Sequence, residues 1–325
     1  MSEAMLVARD LERRFGGGRT LLGRAKPSVH AVQGVDLELR KGETLGIVGE
    51  SGCGKSTLAR MLVGLDRPSG GSISLRDADI SGLTGRDARA LARSVQYVFQ
   101  DPVSSLNPRK TIRQILEAPM RHLLDIGAAE RAKRLDELMD AVGLRREFLE
   151  RYPHEFSGGQ AQRIGIARAL AADPEVIVLD EPVSALDVSV QAQVLNLLDE
   201  LKHQFALTYV FISHDLSVVE SVSDRVAVMY FGRVVEFADA QTLFQRPRHP
   251  YTKLLLDSAP VPGRGHAQAE AGIAELPDPY HPPPGCPFAP RCPNVQTQCR
   301  EQVPGLDVDR PSPDHAAACF FPLST

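Results

Sequence analysis

Apolar and polar residues alternate over residues 35–39, as on a strand with one buried face. Residues 44–48, 95–99, 176–179 and 209–212 are short apolar runs that predict strands covered on both faces. Between them the period changes. Leu58, Met61, Leu62 and Leu65 recur at helical spacing within residues 56–65, and Ile164, Ile166, Ala167 and Leu170 do so within 160–172. Residues 111–150 are charged and helical in pattern, with Leu135, Leu138, Met139 and Val142 on one face. Strands alternating with helices predict an α/β fold with a largely parallel sheet, and the helical block over 101–158 reads as an insertion.

After residue 245 the texture shifts. Pro260, Pro262, Pro277, Pro279, Pro282, Pro283, Pro284, Pro287, Pro290 and Pro293 crowd one stretch. Proline at that density breaks helices and central strands, so an irregular tail is expected, held by something other than an apolar core. Composition changes this picture little. The 325 residues are 43% hydrophobic and 24% charged, an ordinary globular mix with room for about two domains. The net charge of −4 argues against nucleic acid as a partner. No apolar run approaches the roughly 18 residues of a membrane span, and charges interrupt the N-terminus where a signal peptide would be apolar. A soluble cytosolic chain is expected.

Candidate chemistry begins at Gly49-Glu50-Ser51-Gly52-Cys53-Gly54-Lys55-Ser56-Thr57, which fits G-x-x-x-x-G-K-[ST] between a predicted strand and a predicted helix. The glycines let backbone N–H groups face an anion at a helix N-terminus. Lys55 is positioned for β- and γ-phosphates and Ser56 for Mg²⁺. The strand at 176–179 ends in Asp180-Glu181. Asp180 would hold Mg²⁺ and Glu181 could take a proton from an attacking water. Together these motifs predict nucleoside triphosphate binding without fixing the class. Cys53 reads simply as a small residue of the loop.

Phe156-Ser157-Gly158-Gly159-Gln160 precedes another helix, with Ser157 as its cap and two glycines exposing N–H groups. It resembles the signature motif of ATP-binding cassette (ABC) proteins, and other family elements follow in order. Gln100 stands where the Q-loop glutamine does. Ser184-Ala-Leu-Asp187 is similar to the D-loop, and His214 matches the switch histidine. The resemblance implies a RecA-like core with a helical subdomain, catalytic roles for Glu181 and His214, and Mg²⁺ held by Ser56, Gln100 and Asp180. It implies Phe15 as the residue that stacks on adenine. It also implies that Ser157, Gly158, Gly159, Gln160 and Asp187 complete the ATP site of a second subunit in a head-to-tail dimer. Ala161 departs from the basic residue common after this motif.

Phe99-Gln-Asp-Pro-Val-Ser-Ser-Leu-Asn-Pro-Arg109, Arg151-Tyr-Pro-His-Glu-Phe156 and His249-Pro-Tyr-Thr-Lys-Leu-Leu-Leu256 resemble the ATPase subunits of dipeptide/oligopeptide importers. The insertion over 16–28 is similar to that of the F-type member of their D/F pair. The implied division is an ABC ATPase domain over 1–245 and a small irregular Cys/Pro-rich extension over 246–325. The implied partners are a D-type ATPase subunit, two membrane permease subunits and an extracytoplasmic solute-binding protein, which would place the chain at the cytoplasmic face of the membrane as a peripheral subunit. Import of nickel or another non-peptide solute, or a soluble ABC ATPase acting on nucleic acid or the ribosome, are the alternatives. Four of the five cysteines, Cys286, Cys292, Cys299 and Cys319, lie in the tail. Their spacing alone leaves an iron–sulfur cluster, zinc and unligated thiols open. The resemblance implies a structural [4Fe–4S] cluster, expected to stand far from the phosphates, with Zn²⁺ as the alternative and His315 a bystander.

Overall fold

The computed structural model describes residues 3–17, 27–258, 277–306, 308–312 and 314–324. Most of the insertion at 16–28 and the first part of the proline-rich stretch, including Pro260 and Pro262, lie outside the described residues. The chain opens with two long antiparallel strands, β1 (Ala4–Gly16) and β2 (Ser28–Arg40), then β3 (Thr44–Val48) and α1 (Lys55–Leu62). β4 (Gly70–Leu75), β5 (Ala78–Asp79), α2 (Gly85–Ser94) and β6 (Val95–Val98) follow. Next come α3 (Ile112–Leu123), α4 (Ala128–Ala141), two short 3-10 turns, α5 (Gly158–Leu170), β7 (Val176–Asp180), α6 (Val188–Gln204) and β8 (Thr208–Ile212). The rest is α7 (Leu216–Val222), β9 (Arg225–Tyr230), β10 (Arg233–Asp239), α8 (Ala240–Gln245), α9 (Pro250–Ser258), a 3-10 turn Ala289–Arg291, α10 (Thr297–Glu301), β11 (Asp309–Ser312) and β12 (His315–Ala317).

Two sheets result. An antiparallel one has the order β2-β1-β4-β5, and the main one β11-β12-β10-β9-β3-β8-β7-β6. From β9 to β6 the main sheet is parallel. Its apolar strands feed two cores, because successive side chains point to opposite faces. Val176 and Val178 of β7, with Val210 and Ile212 of β8, join Leu6, Leu37, Leu58 and Met61 under the antiparallel sheet. Ile177, Leu179, Tyr209 and Phe211 join Leu116, Leu135, Met139, Ile164 and Leu197 of the helices on the other face. The predicted helical face of α4 is buried as its spacing requires, with Leu135, Met139 and Val142 fully covered. Helix starts fall one or two residues earlier than the apolar periodicity suggests. α1 begins at Lys55 and α5 at Gly158, because the glycines that end each loop carry helical backbone or its cap.

The tail departs from expectation. It is not merely irregular: β12 pairs antiparallel with β10, matching Glu236 to Ala317 and Ala238 to His315, and β11 adds the sheet's edge. The sequence over 309–317 lacks large alternating apolar residues, and among the described residues β11 is an edge strand, the place in a sheet where proline is tolerated. Nor does the tail lack a core. Phe288 is 1% exposed and packs on Tyr230 and Tyr251 at ring-centroid distances of 5.4 Å each. His315 does not line the cysteine pocket; it bonds the wholly buried Glu236 at 2.8 Å, and the same carboxylate accepts the N–H groups of Arg248 and His249. Burial pushes the His249 imidazole down to about 4. Among the described residues no helix is long and apolar enough to cross a membrane.

Truncating Phe288 removes the ring that anchors the tail to β9 and α9. Phe288→Ala should lower unfolding stability by about 3–5 kcal/mol, read from denaturant midpoints against the unmodified chain.

Candidate functional site

The carboxyl ends of parallel strands β3, β8, β7 and β6 share one edge, the place where such sheets bind ligands. β3 is buried throughout and delivers the chain into Gly49–Gly54. Two of these glycines are obligatory. A Cβ on Gly49 (φ +154°) would lie 2.2 Å from the Met229 carbonyl oxygen, and one on Gly54 (φ +105°) 2.3 Å from that of Ala31. The Gly232 N–H donates to the Cys53 carbonyl at 2.8 Å, closing the loop against the β9–β10 turn. Cys53 is buried beside Gly49, which pushes its thiol up and suits a packing role. No side chain caps α1, so its first N–H groups face the cleft.

Lys55 is 5% exposed, and its ammonium donates to the carbonyls of Gly49 at 2.7 Å and Glu50 at 3.0 Å. The Ser56 hydroxyl donates to Asp180 Oδ1 at 3.2 Å, and the Tyr97 hydroxyl donates to Asp180 Oδ2 at 2.5 Å. Burial raises the Asp180 carboxyl, against the two hydroxyls that lower it. Asp180 and Glu181 then part company. Glu181 takes a left-handed backbone, φ +47°, which carries its carboxylate to Gln100 Nε2 at 2.8 Å and His214 Nδ1 at 3.2 Å. A cleft of about 560 Å³ holds Ser51, Gly52, Gly54, Lys55, Ser56, Thr57, Gln100, Glu181 and His214 on its walls. Ser56 on the cleft wall, with the buried Asp180 bonded behind it, offers hard oxygen donors, a set that fits Mg²⁺.

Other expected residues lie elsewhere. Phe15 is not on the cleft wall; its ring carries the Arg13 guanidinium at 4.5 Å, while its cross-strand partner Val29 and the adjacent His30 line the cleft. Ser157 caps α5, accepting from the Gln160 N–H, while Gln160 Oε1 accepts from Ser157 N–H at 3.1 Å. Gly159 is required by Val190, whose Cγ1 would sit 2.4 Å from an added Cβ. Asp187 caps α6 through the Val190 N–H, which holds its carboxyl low. Neither Asp187 nor any residue of 157–160 lines the cleft, so this second set of N–H groups is not part of the wall around the chain's own Lys55.

Cys286, Cys292, Cys299 and Cys319 do converge, on one apolar pocket of about 20 Å³ walled by Phe288, Phe320 and Phe321. Burial raises the Cys286 and Cys292 thiols and pushes Cys319 up to about 11. Among the described residues, however, no three His, Cys, Asp or Glu side chains close around a metal ion, so the geometry supports neither the expected cluster nor zinc. The pocket is also not far from the phosphate loop. Arg291, between two of these cysteines, forms a two-pronged bond to Glu50, 2.8 Å on each side. Tyr251 receives the Glu50 N–H at 2.9 Å, and Pro279 lines the cleft. Tyr97, Tyr251 and Arg291 were not marked as site residues by sequence, since no motif spans the 83 to 241 positions that separate these partners.

Residues 32–184 match the ABC transporter family, and residues 235–299 match the oligopeptide/dipeptide transporter C-terminal region. The chain is 50% identical over 323 residues to the oligopeptide transport ATP-binding protein AppF of Bacillus subtilis, covering 98% of each. It is 48% identical over 305 residues to the di/tripeptide transport ATP-binding protein DppF of Pseudomonas aeruginosa, covering 94% of each. Among solved structures it is similar to a dimeric ATP-binding cassette in a post-hydrolysis state bound to ADP and Pi. There the TM-score is 0.65 at 28% identity, over 73% of this chain and 99% of that one. Identity at this level over nearly the whole length, with both family matches in register with the cleft and the tail, means that the chain belongs to the ABC transporter ATP-binding proteins of the oligopeptide/dipeptide family.

Proposed function

We propose that this chain hydrolyses ATP to drive import of di- and oligopeptides through separate membrane permease subunits. The observation that carries the catalytic half is Glu181, held by Gln100 and His214 across the cleft from Lys55 and Ser56. The peptide cargo rests on the relatives, which are named for oligopeptide and di/tripeptide transport. In this reading residues 1–245 are the ATPase domain, with 101–158 as the helical subdomain that meets a permease. Residues 246–325 are an extension that shares the main sheet. The chain would sit peripherally on the cytoplasmic face of the membrane, with an extracytoplasmic solute-binding protein in the assembled system.

The chemistry follows from the side chains. Lys55 leaves the Gly49 and Glu50 carbonyls for the β- and γ-phosphates, beside the uncapped N-terminus of α1. Ser56, Gln100 and Asp180 would hold Mg²⁺, which neutralises charge on the phosphate oxygens. A cation there would offset the burial that raises the Asp180 carboxyl. Glu181 accepts a proton as water oxygen bonds to the γ-phosphorus and the bond to the ADP oxygen breaks. His214, bonded to the same carboxylate, orients it. Glu181→Gln should bind ATP normally and hydrolyse it at least about 100-fold more slowly in the assembled transporter. Undiminished turnover would remove Glu181 as the base.

The exposed N-terminus of α5 is proposed to complete the ATP site of a D-type partner, since it does not reach its own cleft. A γ-phosphate then gains a second set of N–H donors only when the dimer closes. Ser157→Arg should impair hydrolysis at the partner's nucleotide and spare the nucleotide on this chain's Lys55, as read by site-specific trapping. Loss confined to the Lys55 site contradicts that geometry.

We further infer that the four tail thiols hold a [4Fe–4S] cluster with a structural role. What supports this reading is that all four cysteines line one aromatic-walled pocket. Anaerobically purified protein should be brown with about four irons per chain, and Cys292→Ser should bleach it. Stoichiometric zinc without iron, or no metal at all, removes the cluster.

A further inference from the structure

The second residue of the phosphate loop is fixed from three directions. The Glu50 N–H donates to the Tyr251 hydroxyl at 2.9 Å. Its carbonyl accepts from Lys55 at 3.0 Å. Its carboxylate receives both prongs of the Arg291 guanidinium at 2.8 Å each. Arg291 is 241 residues away, in the 3-10 turn Ala289–Arg291. That turn is itself immobilised, because Phe288 is buried between Tyr230 and Tyr251 and the Arg291 N–H donates to the Phe288 carbonyl at 2.9 Å. The guanidinium lies 5.8 Å from the rings of both Tyr230 and Phe288. The Arg291 and Glu50 side chains are only 16% and 29% exposed, so solvent screens the pair weakly.

We propose that Arg291 is a positioning residue of the nucleotide site, holding the phosphate loop through Glu50 from the C-terminal tail. The inference rests on the ATP-site reading above. Two physical effects follow from one contact. The fork fixes the loop before the anion arrives, so less ordering is needed on binding. It also neutralises a carboxylate that would otherwise stand beside a polyphosphate, where like charges repel. The tail therefore contributes to the site without touching the nucleotide. A change in how residues 286–292 are packed would be transmitted to the loop through the Arg291 fork and, by way of Phe288, through Tyr251.

The two effects separate in a set of variants. Full-length chains are titrated with Mg²⁺-ATP by calorimetry, and thermal midpoints are measured alongside. Arg291→Gln should weaken ATP binding about ten-fold. Arg291→Lys keeps the charge and loses the planar fork, and should weaken it about three-fold. The double variant Glu50→Gln, Arg291→Gln has no unpaired carboxylate, and should bind ATP better than Arg291→Gln alone, whatever its thermal midpoint. A merely structural bridge would show no such recovery, because the double variant still lacks the bond. Arg291→Gln binding ATP as tightly as the unmodified chain, or a double variant no better than Arg291→Gln, overturns the proposal. Should Arg291→Gln fail to fold, Arg291→Lys carries the same test, and an unaltered ATP affinity in it overturns the proposal. An unmodified chain that binds no ATP overturns the site reading itself, and this inference with it.

Discussion

The phosphate loop is pressed so closely by backbone that nothing larger than hydrogen fits on its inner glycines. Met229 blocks Gly49 and Ala31 blocks Gly54, each from a different strand. The Gly232 N–H pins Cys53 from the β9–β10 turn, and Gln33 in turn accepts that turn's constraint by bonding the carbonyls of Phe231 and Gly232. The loop is thus the seam between the antiparallel sheet and the main sheet. Its shape depends on both being folded, and an anion arriving there meets N–H groups already aimed by tertiary structure.

A second consequence concerns the paired acids. Asp180 and Glu181 are adjacent in sequence, yet one faces Ser56 and Tyr97 while the other faces Gln100 and His214. Strand alternation alone would separate them. The left-handed backbone at Glu181 does more, turning its carboxylate back over the strand ends. Non-glycine residues rarely hold that conformation without cost, and here the Glu181 N–H bond to Ile212 keeps it in place. One acid is buried and the other stands in the cleft, which gives them different environments for different tasks.

The parallel strands were legible because continuous apolar runs of four or five residues leave few alternatives. The phosphate loop and the α5 cap were legible because each is a short contiguous pattern. The tail was misread for the opposite reason. Its strands 309–312 and 315–317 are recognised only by what they pair with, and the sequence has no large side chains there to advertise a buried face. Phe288 walls the thiol pocket as expected, and is in addition the centre of an aromatic cluster with Tyr230 and Tyr251 that no sequence pattern shows. Val29 and His30, beside Phe15 on the paired strand, line the cleft without any motif to mark them. Arg291 and Tyr251 could not be seen at all, because Glu50 finds them only through the folded chain.

β10 is not the end of the main sheet. Its outer edge is occupied by β12, and its buried Glu236 is satisfied by His315 and by the N–H groups of Arg248 and His249. A chain cut where the cassette motifs stop would therefore expose a row of unpaired backbone groups and orphan part of a carboxylate's bonding. Open edges of that kind recruit other strands. In this chain the tail therefore serves as the cover of a sheet edge, and a chain cut at the end of β10 is expected to be more prone to self-association than the full-length one.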